Sequence, residues 1–597
     1  MNKYSTISIF FFLLFCGQCY AQSVWRDSDD SARYQDFPHE SIFVHSNTRL
    51  LFVGEYFYYS LYCLDSKSKR PSKISKIAYV EVIGEEGNVV FKHKLRLEEG
   101  RSYGDFFMPT SVSSGNYKLI GYTQWMKNLG TDYFFQSDIT IINPYQGNQN
   151  SLLETNKGED TSIRIPRAKM KPEKRDGFKD YNYGNLELKI SRKKFKSRDK
   201  VSFTIKNKFD LPSDNYFSIS VRKIDTMQAP VKHTSRTFIR HHFKKSKNSI
   251  KSLNDSIYLP ELRGELISGK IIDRNTSKPE KDIDISISVP GKEYQLKMAN
   301  SNDNGLFYFN IDQSYTVDKA IVQVLHKKPE SYGLLIKKQE NIDYSGFTFH
   351  QFKLLPSMKD MILERSFHNQ IENAFFSVKP DTVKTIKTDL PFYRNNPLVY
   401  DLDDYTRFST LKETVVEIIK HVWISKDELG NSIFQVRGNP PYYESPYPPL
   451  VLIDGILVRD QHNLMDYNAK KIKRILLGRD RYIMGKKIHH GVIDIETIRT
   501  DYNIAANGMS IKEVELFRPV PKKKYFRQAY TDSTYAKTVR IPDFRYQLLW
   551  LPDLKLEARK KEIVFYTSDV KGNFEIYLEG FTASGEPTSI REVISVE

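Results

Sequence analysis

The chain has 597 residues, of which 40% are hydrophobic, and a formal net charge of +17. This length exceeds what one ordinary hydrophobic core organises and predicts several domains. Aromatic residues make up 13% of the chain, and Val, Ile and Thr recur throughout, which favours β-rich domains over helical ones.

The first residues have the pattern of a secretory signal. Lys3 precedes an apolar run over residues 7–15, and Ala21 is a small residue before Gln22. This pattern predicts a signal peptide over 1–21 that is cleaved after Ala21. Lipidation of Cys16 or Cys19 is the alternative, although large or polar residues precede both.

Export bears on the partners that a basic chain attracts. Basic proteins often bind nucleic acid or anionic surfaces. An exported protein is expected to meet the anionic surfaces of an envelope, so we expect no nucleic-acid partner. No later run approaches the ~20 apolar residues of a membrane-spanning helix, so no transmembrane segment is expected. Cys63 is the single cysteine after the signal. It can form no internal disulfide, and we expect a buried structural thiol.

Short strand-like runs, separated by turn residues, then predict a series of β-sandwiches. Between two of them lies a polar stretch that reads as a linker. The expected units in chain order are a sandwich over 40–145, the linker over 146–184, a second sandwich with a basic loop over 185–260, a third sandwich over 261–345, and a last sandwich-like domain over 540–597.

The stretch 400–500 has a different pattern and predicts an α/β module. Leu411, Val415 and Val422 recur at helical spacing, and Thr410 with Glu413 fits a capping box at the helix start. Downstream, Asp454-Gly455 stands between two apolar triplets. This predicts a tight hairpin, because both turn positions need positive φ and glycine adopts it without strain.

Residues that could carry catalysis form no recognisable motif. The sequence contains no His-Glu-x-x-His, no Gly-x-Ser-x-Gly and no phosphate-binding loop. His241-His242 and His489-His490 are adjacent pairs, whose side chains point to opposite faces of a strand and chelate poorly. Asp403-Asp404 precedes a helix and is expected to support its N-terminus. We therefore expect no enzyme activity, no metal and no cofactor.

The module around the hairpin resembles the plug domain of TonB-dependent outer-membrane receptors. In that pattern an apolar strand ends in Asp454-Gly455, and a passage at Ile472–Ile475 follows. Then come Tyr482 with Gly485, and a closing strand that begins at Gly491. The stretch 478–491 departs from the usual plug sequence. We assign Asp454, Gly455, Gly485 and Gly491 as structural turn residues of this plug-like module.

Other segments carry further resemblances. Residues 40–145 look like a macroglobulin (MG2)-type domain, and 261–345 are similar to carboxypeptidase regulatory-like domains, which have no peptidase chemistry. The order of these modules resembles that of a recurring Bacteroidetes envelope protein. The resulting fold class is mainly β, with serial macroglobulin- or Ig-like β-sandwiches and one α/β plug-like domain.

The resemblance implies a binding function. A receptor barrel of 22 strands needs ~220 residues in strands, and only about 100 follow the plug-like region, so a transport channel is not expected. We expect a non-enzymatic periplasmic or outer-membrane-associated protein that binds envelope proteins, among them a TonB-dependent receptor or an assembly system. Arg479 and Arg481, in a polar run expected to be an exposed turn, are the candidate partner contacts.

Two alternatives remain open. One is a surface-exposed adhesin or structural protein. The other is a macroglobulin-type protease trap, whose thioester joins a cysteine to a nearby glutamine. Cys63 is followed by Leu64-Asp65-Ser66-Lys67 without that glutamine, so the sequence speaks against a covalent trap.

Overall fold

The computed structural model describes residues 37–149, 152–153, 185–207, 215–227, 229–243, 257–291, 293–338, 341–384, 393, 397–440, 445–504, 508–531, 540–556 and 559–597. The expected signal peptide over 1–21 and most of the expected linker over 146–184 lie outside these ranges. The predicted mainly β fold class is confirmed.

The first unit is a β-sandwich whose strands bury alternate side chains between two sheets. Its strands are β1 (Glu40–Ser46), β2 (Leu50–Phe52), β3 (Tyr56–Asp65), β4 (Ile77–Gly84), β5 (Val89–Arg96), β6 (Arg101–Phe107), β7 (Gly115–Tyr122) and β8 (Phe135–Ile142). One sheet has the order β1-β3-β6 and the other the order β2-β8-β7-β4-β5. Phe43, Leu61, Val80 and Ile120 are fully buried in the core between them. We call this unit sandwich 1.

The chain then begins, but does not finish, a second sandwich. Its first elements are β9 (Leu186–Ile190), β10 (Lys194–Phe195), β11 (Lys200–Asn207), β12 (Asn215–Lys223) and helix α1 (Ser235–His242). Thr234 caps α1 by accepting a hydrogen bond from the backbone of Thr237. Of these strands, only β9 and β11 pair with each other. The remaining partners come from the end of the chain.

A third sandwich, which we call sandwich 3, follows before the second one is complete. Its strands are β13 (Glu265–Asp273), β14 (Asp284–Val289), β15 (Gln295–Asn300), β16 (Leu306–Ile311), β17 (Lys319–Val324) and β18 (Tyr332–Ile336). They form the sheets β16-β13-β18 and β15-β14-β17. The chain then returns to sandwich 1 and forms helix α2 (Lys359–Ala374) and the short strand β19 (Thr382–Val383).

The α/β module comes next. It consists of β20 (Leu398–Asp401), α3 (Leu411–Glu417), β21 (Val422–Lys426), β22 (Ser432–Val436), β23 (Leu450–Ile453), β24 (Ile456–Leu457), α4 (Gln461–Leu464), β25 (Ile472–Met484) and β26 (Lys487–Thr497). The main sheet has the order β20-β25-β26-β23-β24. The predicted capping box of Thr410 and Glu413 begins α3. The helix is shorter than its apolar spacing suggested, because His421 has a φ of 69° and Val422 already begins a strand.

The last strands complete structures begun earlier in the chain. They are β27 (Ile511–Glu515), β28 (Lys523–Lys524), β29 (Gln547–Leu556), β30 (Lys560–Tyr566), β31 (Gly572–Phe581) and β32 (Pro587–Val596). Strand β27 extends sandwich 3 beside β17, and β28 pairs with β19. Strands β29 to β32 join β9 to β12 in two sheets, β10-β32-β31-β12-β29 and β30-β11-β9.

These pairings correct two of the expected domain boundaries. The segments 185–260 and 540–597, predicted as separate sandwiches, share both sheets of one unit, sandwich 2. Strand β12 lies between β29 and β31, so neither segment has a closed core without the other. Sandwich 3 is inserted within sandwich 2, and the α/β module is inserted between β18 and β27 of sandwich 3. Of the helices in the described ranges, none has the length and apolar character needed to cross a membrane.

Candidate functional site

The Asp454-Gly455 turn joins β23 to β24 and organises the chain around it. Asp454 has a φ of 48° and Gly455 a φ of 81°, and the flanking Ile453 and Ile456 pair across the turn. The buried carboxylate of Asp454 accepts hydrogen bonds from the backbone N–H of Thr497 (2.8 Å) and from its hydroxyl (2.6 Å). The turn therefore holds the end of β26 in place.

The same turn is packed against sandwich 3. A Cβ atom on Gly455 would lie 2.2 Å from the Cβ of Tyr294, which is in the loop before β15. The Tyr294 hydroxyl in turn donates to the buried Asp494 of β26 at 3.1 Å. The structure thus places Gly455 in a joint between the α/β module and sandwich 3.

Gly485 and Gly491 also have positive φ, 62° and 89°. Gly485 lies in the turn between β25 and β26, where an added Cβ would be 3.4 Å from the Cβ of Met298 in sandwich 3. A Cβ on Gly491 would be only 2.6 Å from the Cβ of Val436, so this glycine lets the β21-β22 hairpin approach the main sheet. Both glycines serve internal packing.

Arg479 and Arg481 do not lie in an exposed turn, and that prediction is wrong. Both lie within β25: Arg479 is in the β-bulge between Gly478 and Arg481, and Arg481 pairs with His490 where the regular register resumes. Arg479 is half-buried, and its guanidinium donates to the backbone oxygens of Arg437 and Gly438 just after β22. Arg481 is exposed and lies 5.9 Å from the ring centre of Tyr447. Arg479 therefore has an internal structural role, and only Arg481 is presented to solvent.

His241 and His242 end helix α1, so the expectation that this pair lies on a strand is wrong, whereas His489 and His490 do lie on β26. His490 is buried in β26, and the neighbouring His489 lies 3.3 Å from the backbone oxygen of Pro448. In the described part of the chain, no three His, Cys, Asp or Glu side chains are grouped as metal ligands. Cys63 is fully buried and its thiol donates to Glu40 at 3.5 Å. Burial, together with the Glu40 carboxylate, raises the pKa of this thiol well above its usual value.

A buried charge cluster joins sandwich 1, sandwich 2 and helix α2. The Arg365 guanidinium donates to both oxygens of Glu55 at 2.7 and 2.8 Å and to Asp225 at 2.5 Å. Arg222 of β12 also bonds Glu55, at 2.9 Å. Burial alone would raise the pKa of Glu55, but the two arginines outweigh it and lower this pKa to about 2. The cluster holds three elements together through ionised groups.

Next to this cluster lies a cavity of about 150 Å³, which we call the junction cavity. Four aromatic rings are stacked in a row along it. Phe376 and Tyr56 have ring centres 5.8 Å apart at 16°, Tyr56 and Tyr58 are 5.7 Å apart at 17°, and Tyr58 and Trp550 are 5.9 Å apart at 25°. Tyr525 meets Tyr58 edge-on at 5.0 Å. Eight of the residues that line the cavity are aromatic, and its charged residues include the cations Arg222, Lys379 and Arg545.

One charged side chain of the wall differs from the others. Most are paired, such as Lys379 with Glu372 at 2.6 Å. Asp381 accepts a hydrogen bond from the backbone N–H of Phe526 at 2.8 Å, and no cationic group of the described residues lies within ion-pair distance of it. Burial raises the pKa of Asp381, the Phe526 N–H offsets part of this, and of the nearby pair Asp105 and Lys523 the first raises and the second lowers it. Among the described residues this carboxylate therefore has no ion-pair partner of its own, since Lys523 is bonded to Asp105.

Sequence reasoning missed the junction cavity. Its rings come from four segments far apart in the chain, at positions 56–58, 376, 525 and 550. None of these segments has a local motif, and they meet through the long-range pairing of β19 with β28 and the packing of β29 against β3. The one signal present in the sequence is the high aromatic content.

The comparisons with known proteins found distant likenesses. No protein-family model and no curated protein matches the chain. Among solved structures, it is similar to native Escherichia coli alpha-2-macroglobulin, with 10% identity over 94% of this chain and a TM-score of 0.22. Salmonella alpha-2-macroglobulin reacted with methylamine has 9% identity over 93% of this chain and a TM-score of 0.23. A Listeria innocua β-glucosidase in complex with glucose matches 18% of this chain and 16% of its own, with 12% identity and a TM-score of 0.12.

The chain spans 40% of the E. coli macroglobulin and 39% of the Salmonella one. Likeness at this level leaves the family unassigned. The class that the fold itself defines is a multidomain, mainly β protein with nested sandwiches and one inserted α/β module.

Proposed function

We propose that the chain is a non-enzymatic, exported protein of a bacterial envelope, periplasmic or associated with the outer membrane. It acts by binding another envelope protein through its α/β module, and the expected partner is a TonB-dependent outer-membrane receptor. The secretory pattern of residues 1–21 supports export. The plug-like order of Asp454-Gly455, Gly485 and Gly491 supports the choice of partner.

The observation that carries the proposal is the edge strand β20. It pairs with β25 on one side, and no strand of the described residues pairs with its other side. Leu398 is 38% and Val399 54% exposed. An exposed edge with apolar side chains is a template for an added strand, and native proteins usually protect such edges. An extended segment of the receptor is the occupant that fits this edge.

The binding surface therefore shifts from the predicted arginines to the sheet edge. The proposal does not use Arg479 as the contact, because its guanidinium already donates to backbone oxygens within the module. Arg481, exposed on β25 beyond the part that pairs with β20, remains a candidate rim contact. A partner strand along β20 would gain backbone hydrogen bonds, and its side chains would cover Leu398 and Val399.

Site-specific photo-crosslinking in cells tests the proposal. A photoreactive amino acid at Val399 of the full chain should give an adduct that mass spectrometry identifies as a TonB-dependent receptor. The matched control is the same amino acid at Val231, which is 72% exposed in sandwich 2 and should give no such adduct. Absence of a protein adduct at Val399, or the same adducts at both positions, would overturn the proposal.

A further inference from the structure

The junction cavity has the size of a single chemical group. Its volume of about 150 Å³ compares with roughly 30 Å³ per water molecule in the liquid and with cavities that hold one benzene molecule. Drug-sized ligands occupy pockets of roughly 300–1,000 Å³. The cavity therefore suits a side chain or a small organic ion rather than a large cofactor.

The aromatic wall favours a cation over an anion. The face of an aromatic ring carries partial negative charge and attracts ammonium and guanidinium groups within roughly 6 Å of its centre. Tyr56, Tyr58 and Phe376 stand in one stacked row, and Tyr525 closes a side at right angles to Tyr58. Rings that stand beside one small space contribute to binding an organic cation through any face that no neighbouring ring covers.

The carboxylate of Asp381 supplies the matching charge. Phe526 occupies one of its oxygens, and no group of the described chain donates a hydrogen bond to the other. A partly buried carboxylate without a counter-ion is unfavourable, and a bound cation would remove that cost. The negative charge of Asp381 also affects the hydroxyl of one of these rings. After burial, the carboxylates of Asp105 and Asp381 contribute to raising the pKa of Tyr56 to about 12.

The other charges of the wall do not offer an equivalent site. Each cation that lines the cavity is already held by a carboxylate: Lys379 by Glu372, Arg222 by Glu55 and Arg545 by Asp543. Glu55 is paired with two arginines. We propose that the junction cavity binds the ammonium or guanidinium group of an organic cation, with Asp381 as its counter-ion and the row of Tyr56, Tyr58 and Phe376 beside it. The cation is either a lysine or arginine side chain of a bound peptide or a free small amine. This site is separate from β20 and does not depend on the partner proposed above.

Binding measurements on the full mature chain test this site. Isothermal titration with n-butylammonium and with methylguanidinium should show saturable binding, and the neutral n-pentanol should bind at least about tenfold more weakly. Asp381→Asn should weaken cation binding by about tenfold or more, because the counter-ion is lost. Asp318→Asn, at an exposed position of sandwich 3, is the matched control and should bind as the unaltered chain does.

A second variant guards against a folding effect. Phe376 is 44% exposed, so Phe376→Ala should fold normally and weaken cation binding several-fold. Equal binding of n-butylammonium by the unaltered chain and Asp381→Asn, equal binding of n-pentanol, or no saturable cation binding would each overturn the site. The tripeptide Gly-Lys-Gly shows whether the bound cation belongs to a peptide or to a free amine. If it binds more tightly than n-butylammonium, the ligand of the site is a peptide side chain. If it binds equally or more weakly, the ligand is a free amine.

Discussion

Gly455 meets two constraints that act through different atoms. Its φ of 81° is a conformation in which any Cβ is strained, and the space where that Cβ would stand is filled by Tyr294. The first constraint follows from the Asp-Gly pattern, because a two-residue hairpin turn needs positive φ. The second could not be read from the sequence, since Tyr294 belongs to another sandwich.

Gly455→Ala separates these two effects when it is compared with Gly430→Ala. Gly430 has a similar φ of 83°, but nothing lies within 4 Å of its added Cβ. Gly430→Ala should cost about 1–2 kcal/mol of stability from backbone strain alone. Gly455→Ala should cost more, by roughly a further 1–3 kcal/mol, because Tyr294 must move. Hydrogen exchange of β23 and β26 in the full chain measures the local unfolding free energy.

Equal losses in the two variants would show that the contact with Tyr294 is loose. In that case the turn would not be a tight joint to sandwich 3.

Glu261 is a single residue whose charge state links stability to pH. It is buried, and the Tyr79 hydroxyl of sandwich 1 donates to it at 3.3 Å. Burial, partly offset by Lys94 and reinforced by Glu265, raises its pKa from 4.5 to about 8. The folded chain therefore keeps a proton on Glu261 in a range where the unfolded chain has lost it. The stability from this group is complete below pH 4.5 and is lost as the pH rises through about 8.

Glu261→Gln should remove this pH dependence, because glutamine does not titrate. The unfolding free energy of the unaltered chain should fall by a few kcal/mol between about pH 5 and pH 9, and that of the variant should fall less. Urea unfolding at several pH values, monitored in β4 and β13, checks the prediction. Glu428→Gln, at an exposed position, should follow the unaltered chain. Parallel curves for Glu261→Gln and the unaltered chain would contradict the assigned protonation.

At the scale of elements, helix α2 shows why a structurally important helix escapes a search for apolar periodicity. The face that it buries carries Arg365, Ser366 and Asn369 rather than a stripe of Leu or Ile. Amphipathic patterns are read from apolar residues, so an ionic face is read as solvent-exposed. In contrast, α3 buries Leu411 and Val415 and begins with a capping box, and its start was predicted correctly.

Arg365→Leu should destabilise the junction of sandwich 1 and sandwich 2. The change leaves Glu55 buried with one arginine instead of two, and loss of one partner of a buried pair costs about 3–5 kcal/mol. Arg365→Lys should recover little of this, because lysine cannot donate to both oxygens of Glu55 in the same way. Urea unfolding, followed by hydrogen exchange in β2 and β12, measures the effect.

The double variant Glu55→Gln with Arg365→Leu provides the control. Its loss should be smaller than the sum of the two single losses, because the uncompensated charge is no longer present. Additive losses would show that Arg365 and Glu55 are not energetically coupled.

At the scale of the whole molecule, local patterns identified strands but not their partners. Alternation and turn residues mark β12 and β31 as strands wherever their neighbours are. Their pairing, with Tyr216 opposite Phe581 and Ile219 opposite Leu578, joins segments that lie more than 300 residues apart. No local rule specifies such a pairing, so the expected domains followed the order of the chain. The junction cavity was missed for the same reason, since it exists only where sandwich 2 closes against sandwich 1.

Ile576→Asp distinguishes the nested arrangement from two separate sandwiches. Ile576 of β31 is fully buried and shares its core with Ile219 and Val221 of β12. A carboxylate there lacks a partner and should destabilise sandwich 2 by several kcal/mol. Hydrogen-exchange protection should therefore fall in β11 and β12, although they precede the altered residue by more than 350 positions. Strands β3 and β7 should keep most of their protection, because sandwich 1 has its own core.

Asn573→Asp, exposed on the same strand, should change neither region. If Ile576→Asp reduced protection only in β29 to β32, the two segments would behave as separate domains and the shared core would not be cooperative.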